Sequence, residues 1–273
     1  MADTDVYASQ ERILAALSSI PGPLAVAVSG GIDSLTLASL AQEHHPSVEM
    51  FHAVSPAVPG DATARTETLA LERGWRLRIV EAGEFSDPAY RANPTNRCFF
   101  CKTNLYGAIA RHTRAQIVSG ANLDDLSEYR PGLDAAREHQ VRHPFLEAQI
   151  GKAQVRALAR IVGLGTLSDL PAAPCLSSRI ETGIAIRPDV LRGIHAIERD
   201  LARDFPTGTV RCRVRATGVV IELDPGTLGS VDEDRQRDVR RQAAMLLTGL
   251  VPNIDVVFSP YRNGSAFLHA RQP

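Results

Sequence analysis

The sequence predicts an α/β protein, a parallel sheet flanked by helices, followed by a smaller C-terminal α+β domain. Two observations carry the first part. Apolar runs of strand length alternate with segments of helical period, and strands so spaced need crossover connections, which pair them in parallel and cover both faces of the sheet. The first of these strands breaks into a glycine-rich turn, Ser29-Gly30-Gly31-Ile32-Asp33-Ser34, that leads into a helix. A third observation marks the boundary: past Leu170 the βα rhythm stops, and Pro171, Pro174 and Gly183 punctuate an irregular connection. The predicted domains are therefore 1–170 and 171–273.

Each element follows from local pattern. Tyr7–Leu17 has helical spacing, with Ile13, Leu14 and Leu17 on one face. Leu24–Val28 reads as a buried strand, Ser34–Glu43 as a helix, Val48–Val54 as a strand, Thr63–Arg73 as a helix and Arg76–Val80 as a strand. A helix at Lys102–Thr113 and a strand at Gln116–Ser119 extend the series. In the second domain we read a helix at Asp189–Asp200, strands at Thr209–Val214 and Val219–Leu223, a helix at Asp232–Leu247 and a strand at Asn253–Phe258. No internal repeat or low-complexity segment interrupts the chain.

Composition narrows the function classes. The 273 residues are 44% hydrophobic and 22% charged, with a formal net charge of −1. Near-neutrality argues against a non-specific nucleic-acid or membrane binder. There is no apolar run of membrane-spanning length, and the polar, acidic N-terminus does not read as a signal peptide, so the expectation is a cytoplasmic protein. In that compartment Cys98, Cys101, Cys175 and Cys212 point to metal binding or chemistry rather than to disulfides. The eight histidines show no metal-ligand spacing.

The turn at Ser29–Ser34 is built to hold phosphate. Gly30 and Gly31 open backbone angles closed to other residues and allow close approach to an anion, while the following helix presents unpaired N–H groups at its positive end. Ser29 and Ser34 add hydroxyls, and Asp33 either orients the loop or helps to hold magnesium. The Gly-Lys-Ser/Thr ending of a Walker loop is missing, which argues against γ-phosphate transfer. The turn resembles instead the PP-loop of the ATP pyrophosphatase superfamily, which cleaves ATP between the α- and β-phosphates and adenylates a substrate. That resemblance assigns Ser29, Gly30, Gly31, Ile32, Asp33 and Ser34 to ATP, together with Ser55, Gly120 and Asn122 at later strand ends, and leaves Asp125 near the metal. Taken alone, Asn122-Leu123-Asp124-Asp125 reads as a helix N-cap.

Further motifs sharpen the likeness. Asn93-Pro94-Thr95-Asn96-Arg97-Cys98-Phe99-Phe100-Cys101-Lys102, Gly120–Asp125 with Tyr129-Arg130-Pro131-Gly132, Pro174-Cys175-Leu176-Ser177-Ser178-Arg179-Ile180 and Tyr261-Arg262-Asn263-Gly264-Ser265 are similar to the LarE family. These are ATP-dependent sulfur-insertion enzymes of nickel-pincer nucleotide synthesis. The resemblance implies adenylation of a carboxylate on a pyridinium dicarboxylate mononucleotide, attack by sulfur, a homo-oligomer, and catalytic roles for Cys175, Asp33 and Lys102. In one branch of the family a single cysteine, matching Cys175, is sacrificed as sulfur donor.

This chain departs from that branch by carrying Cys98 and Cys101 as well. A Cys-x-x-Cys turn with one distant cysteine can ligate three irons of a 4Fe-4S cluster and leave one iron without a protein ligand, able to deliver sulfide taken from a sulfur donor. A structural zinc site and bare thiols are the alternatives, and spacing alone does not separate cluster from zinc. Cys212 lies between Arg211 and Arg213 on a strand and points away from both, as a small buried residue. The two arginines make a paired anion clamp if their face is not merely solvent; the resemblance gathers them with Arg179 and Arg262 around the substrate phosphate. Lys102 is either a charge-stabilising group beside the adenylate or an exposed first-turn lysine. Glu147 and Lys152 bracket an apparent helix start and either line the site or cap a solvated helix end.

The expected protein is an ATP-dependent sulfur transferase with ATP, magnesium and a 4Fe-4S cluster, taking a small-molecule substrate and no nucleic acid or membrane. A tRNA thiolase or another adenylating amide or sulfur-transfer enzyme of the superfamily is the rival enzyme, against which stand the lack of a basic domain and of a glutaminase domain. A non-catalytic nucleotide-binding module is the rival outside catalysis.

Overall fold

Leu24, Ala25, Val26 and Ala27 are all buried, which an apolar strand permits only where helices cover both faces. In the computed structural model, which describes residues 3–127, 131–171, 174–262 and 265, this strand is β1 (Leu24–Ala27) at the interior of a four-stranded sheet. Its partners are β2 (Val48–Val54), β3 (Leu77–Glu81) and β4 (Gln116–Ser119), in the order β3-β2-β1-β4 and parallel throughout. The α/β fold class is as the sequence predicts.

The chain divides into two compact units, 1–84 with 98–173, and 85–97 with 174–273. In the first, α1 (Asp3–Ser18), α2 (Ile32–His44) and α8 (Lys152–Ile161) share one apolar core with β1 and β4, made by Ile13, Leu17, Leu35, Leu40, Val118, Val155 and Leu158 among others. The other sheet face is covered through Tyr106 and Ile109 of α5 (Arg97–His112) and Ala136 of α6 (Pro131–Glu138). The remaining helices of this unit are α3 (Gly60–Arg73) and the short α7 (Pro144–Glu147). Trp75 is buried.

The second unit holds α4 (Pro88–Arg91), α9 (Pro188–Asp204), α10 (Pro225–Ser230), α11 (Glu233–Leu247) and a three-stranded sheet ordered β5-β6-β7, from β5 (Val210–Arg215), β6 (Gly218–Leu223) and β7 (Val256–Pro260). β5 and β6 form an antiparallel hairpin and β7 runs parallel to β6. Segment 85–97 joins this unit through specific polar contacts: Tyr90 Oη lies 2.7 Å from Ser177 Oγ, and the Asn93 amide donates to the carbonyls of Glu181 (2.8 Å) and Ile184 (2.9 Å).

Several boundaries differ from the sequence reading, and two matter for the site. The second helix starts at Ile32 rather than Ser34, so Asp33 and Ser34 belong to its first turn. The fifth starts at Arg97 rather than Lys102, so Cys98 and Cys101 lie on a helix and not in a turn. Their i,i+3 spacing puts both on one helix face. Tyr129, Arg130, Asn263 and Gly264 of the motifs lie outside the described residues. Among the described residues no helix is long and apolar enough to cross a membrane.

Candidate functional site

The strand order explains where a ligand would go. The chain leaves β1 for β2 and β3 on one side and returns to β4 on the other, so the crevice at the carboxyl ends of β1 and β4 is the topological switch point. Ser55 and Gly120 stand immediately after the C-terminal ends of β2 and β4, and Ser29 two residues after the end of β1, the strand between them in the sheet.

The turn after β1 is held mainly by its own atoms. Ser34 Oγ donates to the Gly31 carbonyl (2.9 Å), accepts from the Ser29 N–H (3.0 Å) and lies 3.1 Å from Ser29 Oγ. Gly30 has φ +78, in the left-handed region, and a Cβ there would come within 2.5 Å of the Ala62 carbonyl oxygen. Gly31 has φ −85 and only Ser29 Oγ, 3.5 Å away, near a Cβ position. The sequence reading gave both glycines the same reason; only Gly30 uses a backbone angle that excludes side chains. Gly31 is the N-cap of α2 with no side chain to cap it, which leaves that helix end to a ligand or water.

A second layer braces the turn from β2 and α3. Arg65 donates to the Gly30 carbonyl (2.7 Å). His52 is fully buried, its Nδ1 2.8 Å from the Val28 carbonyl and its Nε2 2.9 Å from Thr63 Oγ1. The carbonyl can only accept, so Nδ1 carries the proton and Nε2 accepts from the threonine. Burial pushes the His52 pKa below its ordinary value, against the raising effects of Val28 and Glu67, and so favours this neutral form.

Gly120 brings the β4 side against the same turn. A Cβ on Gly120 would lie 2.9 Å from the Asp33 carbonyl carbon and 3.0 Å from the Ser34 nitrogen, a contact only glycine tolerates. Asn122 then donates to Asp33 Oδ1 (3.2 Å), while its own N–H donates to Asp125 Oδ2 (3.0 Å). The first turn of α8 closes the group: Lys152 Nζ lies 2.7 and 2.6 Å from the two Asp33 oxygens, and the Lys152 N–H donates to Asp124 Oδ2 (2.5 Å). Asp33 and Asp125 are hard oxygen donors flanking Asn122. Magnesium is commonly held by one or two carboxylates with phosphates and water completing its shell, so this donor set fits it beside a nucleotide.

Ser55 Oγ accepts the Ala57 N–H (3.2 Å). Lys102 packs its stem at Gly132, whose Cβ position is 3.1 Å from Lys102 Cγ, and sets its ammonium 5.8 Å from the Tyr106 ring centre. Its charge reaches His143, which lies 2.9 Å from Ser119 Oγ and whose pKa is lowered first by burial and then by Lys102. Glu147 ends α7, where it pairs with Arg142, so it and Lys152 belong to two helices rather than to one start.

In the second unit the arginines divide. Arg179 is buried and bidentate on Glu198 (both contacts 3.0 Å), and it donates to the carbonyls of Pro174 (2.7 Å) and Cys175 (3.2 Å). It therefore fixes the backbone around Cys175. Arg213 is buried on Glu222 (2.6 Å) and also donates to the Ser178 carbonyl (3.1 Å). Glu222, which also pairs with Arg215, is held below the usual carboxylate range: burial raises it, but hydrogen bonds from Ser265 and Arg213 outweigh that. Arg211 stacks over Tyr261, 5.9 Å from the ring centre, and its pKa is lowered by burial and then by the Arg179 charge, the mark of a cation-rich spot. Arg262 is exposed and offers its carbonyl to Arg213 (3.3 Å). Cys212 is fully buried and burial pushes its thiol up, as expected of an inert core residue.

Cys98, Cys101 and Cys175 are half-buried and form no disulfide. Among the described residues no group of three His, Cys, Asp or Glu side chains is gathered as a metal ion would require. The pair on α5 offers two soft donors suited to iron or zinc.

No protein-family model matches the chain. An uncharacterised protein of Synechocystis sp. is 35% identical over 214 residues, 77% of this chain and 79% of the relative. The chain belongs to that protein's family. An uncharacterised protein of Methanocaldococcus jannaschii is 26% identical over 77% of this chain and 81% of its own. A protein of Lactiplantibacillus plantarum named pyridinium-3,5-bisthiocarboxylic acid mononucleotide synthase is 29% identical over 75% of each chain. These relatives support the LarE-type resemblance at family level.

Sequence reading did not reach Arg65, His52 or His143. The available signal was a histidine two residues before the end of a buried strand, a polar group that must find partners.

Gly30→Ala, forced into left-handed backbone and onto the Ala62 carbonyl, should cost roughly 1–3 kcal/mol of stability, whereas Gly31→Ala should be tolerated. Denaturant melts of both variants check this, and equal behaviour would contradict it. His52 and His143 are held neutral, so the folded chain binds fewer protons than the unfolded one; their contribution to stability is present above the ordinary value of 6.5 and is lost as pH falls below it. Thermal melts across that range should show the loss, and His52→Gln should reduce its slope.

Proposed function

We propose that this protein is an ATP-dependent sulfur transferase that adenylates a carboxylate of a pyridinium dicarboxylate mononucleotide and replaces the activated oxygen with sulfur. The observation that carries the reading is the Ser29–Ser34 turn at the switch point, in a chain similar to a named bisthiocarboxylic acid mononucleotide synthase. In this reading the substrate carboxylate attacks the α-phosphorus of ATP, pyrophosphate departs, sulfur adds to the acyl carbon and AMP leaves.

The uncapped N-terminus of α2, with Gly30, Gly31, Ile32 and the hydroxyls of Ser29 and Ser34, receives the pyrophosphate portion. Asp33 and Asp125 hold magnesium, which supplies charge neutralisation on the phosphates. Ser55, Gly120 and Asn122 line the nucleotide, and Lys102 stabilises charge on the adenylate. Arg211 contacts the substrate phosphate together with Arg262, and Arg179 and Arg213, anchored on carboxylates, brace that surface. Cys98, Cys101 and Cys175 are proposed as ligands of a 4Fe-4S cluster on residue type and spacing alone; such a cluster supplies sulfide at an iron without a protein ligand.

Anaerobically purified protein tests this with magnesium, ATP, sulfide and the pyridinium dicarboxylate mononucleotide. Thiocarboxylate, AMP and pyrophosphate should appear together, with about four irons and four sulfides per chain and Cys175 intact by mass spectrometry. ATP binding without pyrophosphate release would make the protein a nucleotide-binding module. Loss of the mass of hydrogen sulfide at Cys175 in a single turnover, without iron, would make the chain itself the sulfur donor.

A further inference from the structure

Lys152 is an unusual opening for a helix. It follows the N-cap Gly151 of α8, where the helix dipole is positive and an anion rather than a cation is favoured. Its ammonium bridges both oxygens of Asp33 at 2.7 and 2.6 Å. Asp33 in turn sits in the first turn of α2, whose N-cap has no side-chain partner. The side chains of the pair are 30% and 28% exposed, so the ion pair faces the crevice rather than the core. Lysine is a point charge on a long flexible stem, and an exposed pair of this kind contributes little stability. It is therefore placed to change partners.

Resting on the nucleotide reading of this site, we propose that Lys152 is a phosphate-binding residue for the pyrophosphate end of ATP, held in waiting on Asp33. A polyphosphate entering at the α2 N-terminus carries more negative charge than one carboxylate and presents more acceptors within reach of the same ammonium. Lys152 then moves from Asp33 to phosphate oxygens, and the Asp33 carboxylate is released to the magnesium that accompanies the nucleotide. Lys152 and a metal ion would compete for the Asp33 carboxylate, and a bound polyphosphate relieves that competition by taking the ammonium. No bond is made or broken in the exchange.

Calorimetric titration of the full chain with metal-free pyrophosphate, ATP and AMP separates this role from a structural ion pair. Lys152→Ala should weaken pyrophosphate and ATP roughly ten- to hundredfold while leaving AMP unchanged, and Lys152→Arg should restore most of the loss. Asp33→Asn should do the opposite under metal-free conditions and tighten pyrophosphate binding, a gain that shrinks when Lys152 is already alanine. Thermal melts confirm that each variant is folded. Equal weakening of AMP and pyrophosphate, or a lowered melting temperature with all three affinities unchanged, would show that the pair only joins α2 to α8. If the wild-type chain binds none of the three, the nucleotide reading fails first and this proposal with it. Wild-type binding that is indifferent to Lys152 overturns the proposal alone.

Discussion

The backbone of the β1–α2 turn has to reverse from strand to helix at a point where another backbone presses against it, and Gly30 is what makes that possible. Its left-handed φ and the 2.5 Å approach of the Ala62 carbonyl leave no room for any side chain. Gly120 meets the same requirement from the β4 side, against the backbone of Asp33. Between these two contacts the first turn of α2 is fixed in position before any ligand is considered. Its uncapped N–H groups then point into the crevice that the strand order creates.

Everything polar around the turn acts on this frame. His52 and Arg65 tie it to β2 and α3, and Asn122 and Lys152 tie Asp33 to β4 and α8. The second unit uses buried ion pairs for a similar end. Removing one partner of such a pair leaves a charge stranded in the interior, which is far more destabilising than the pair is stabilising. Arg179 on Glu198 fixes the backbone at Cys175, and Glu198 also accepts the Cys212 N–H (2.8 Å), so one carboxylate aligns a helix, a strand and a loop.

The alternation of strands and helices was legible because each element has a period that its own residues set, and the parallel sheet followed from crossover length. The glycine-rich turn was legible as a phosphate loop for the same reason: its chemistry is local. What the sequence concealed was non-local. Nothing in Thr63 or Arg65 announces a contact with Val28 or Gly30, and Lys152, over a hundred residues from Asp33, reads equally as a solvated helix end. The arginines show the same limit, since alternation put Arg211 and Arg213 on one face but the neighbour Glu222 decided which of them is buried in an ion pair. Cys98 and Cys101 were read as a Cys-x-x-Cys turn before a helix at Lys102, whereas the helix begins directly after Asn96.

In the proposed function the turn at Ser29–Ser34 grips pyrophosphate as it leaves an adenylated carboxylate. Exchange of radiolabelled pyrophosphate into ATP, catalysed by the wild-type protein, tests that step without requiring sulfur. The account predicts exchange that depends on the pyridinium dicarboxylate mononucleotide and disappears in Gly30→Ala. Exchange of labelled orthophosphate instead, or thiocarboxylate formed with no pyrophosphate exchange under any condition, would contradict it.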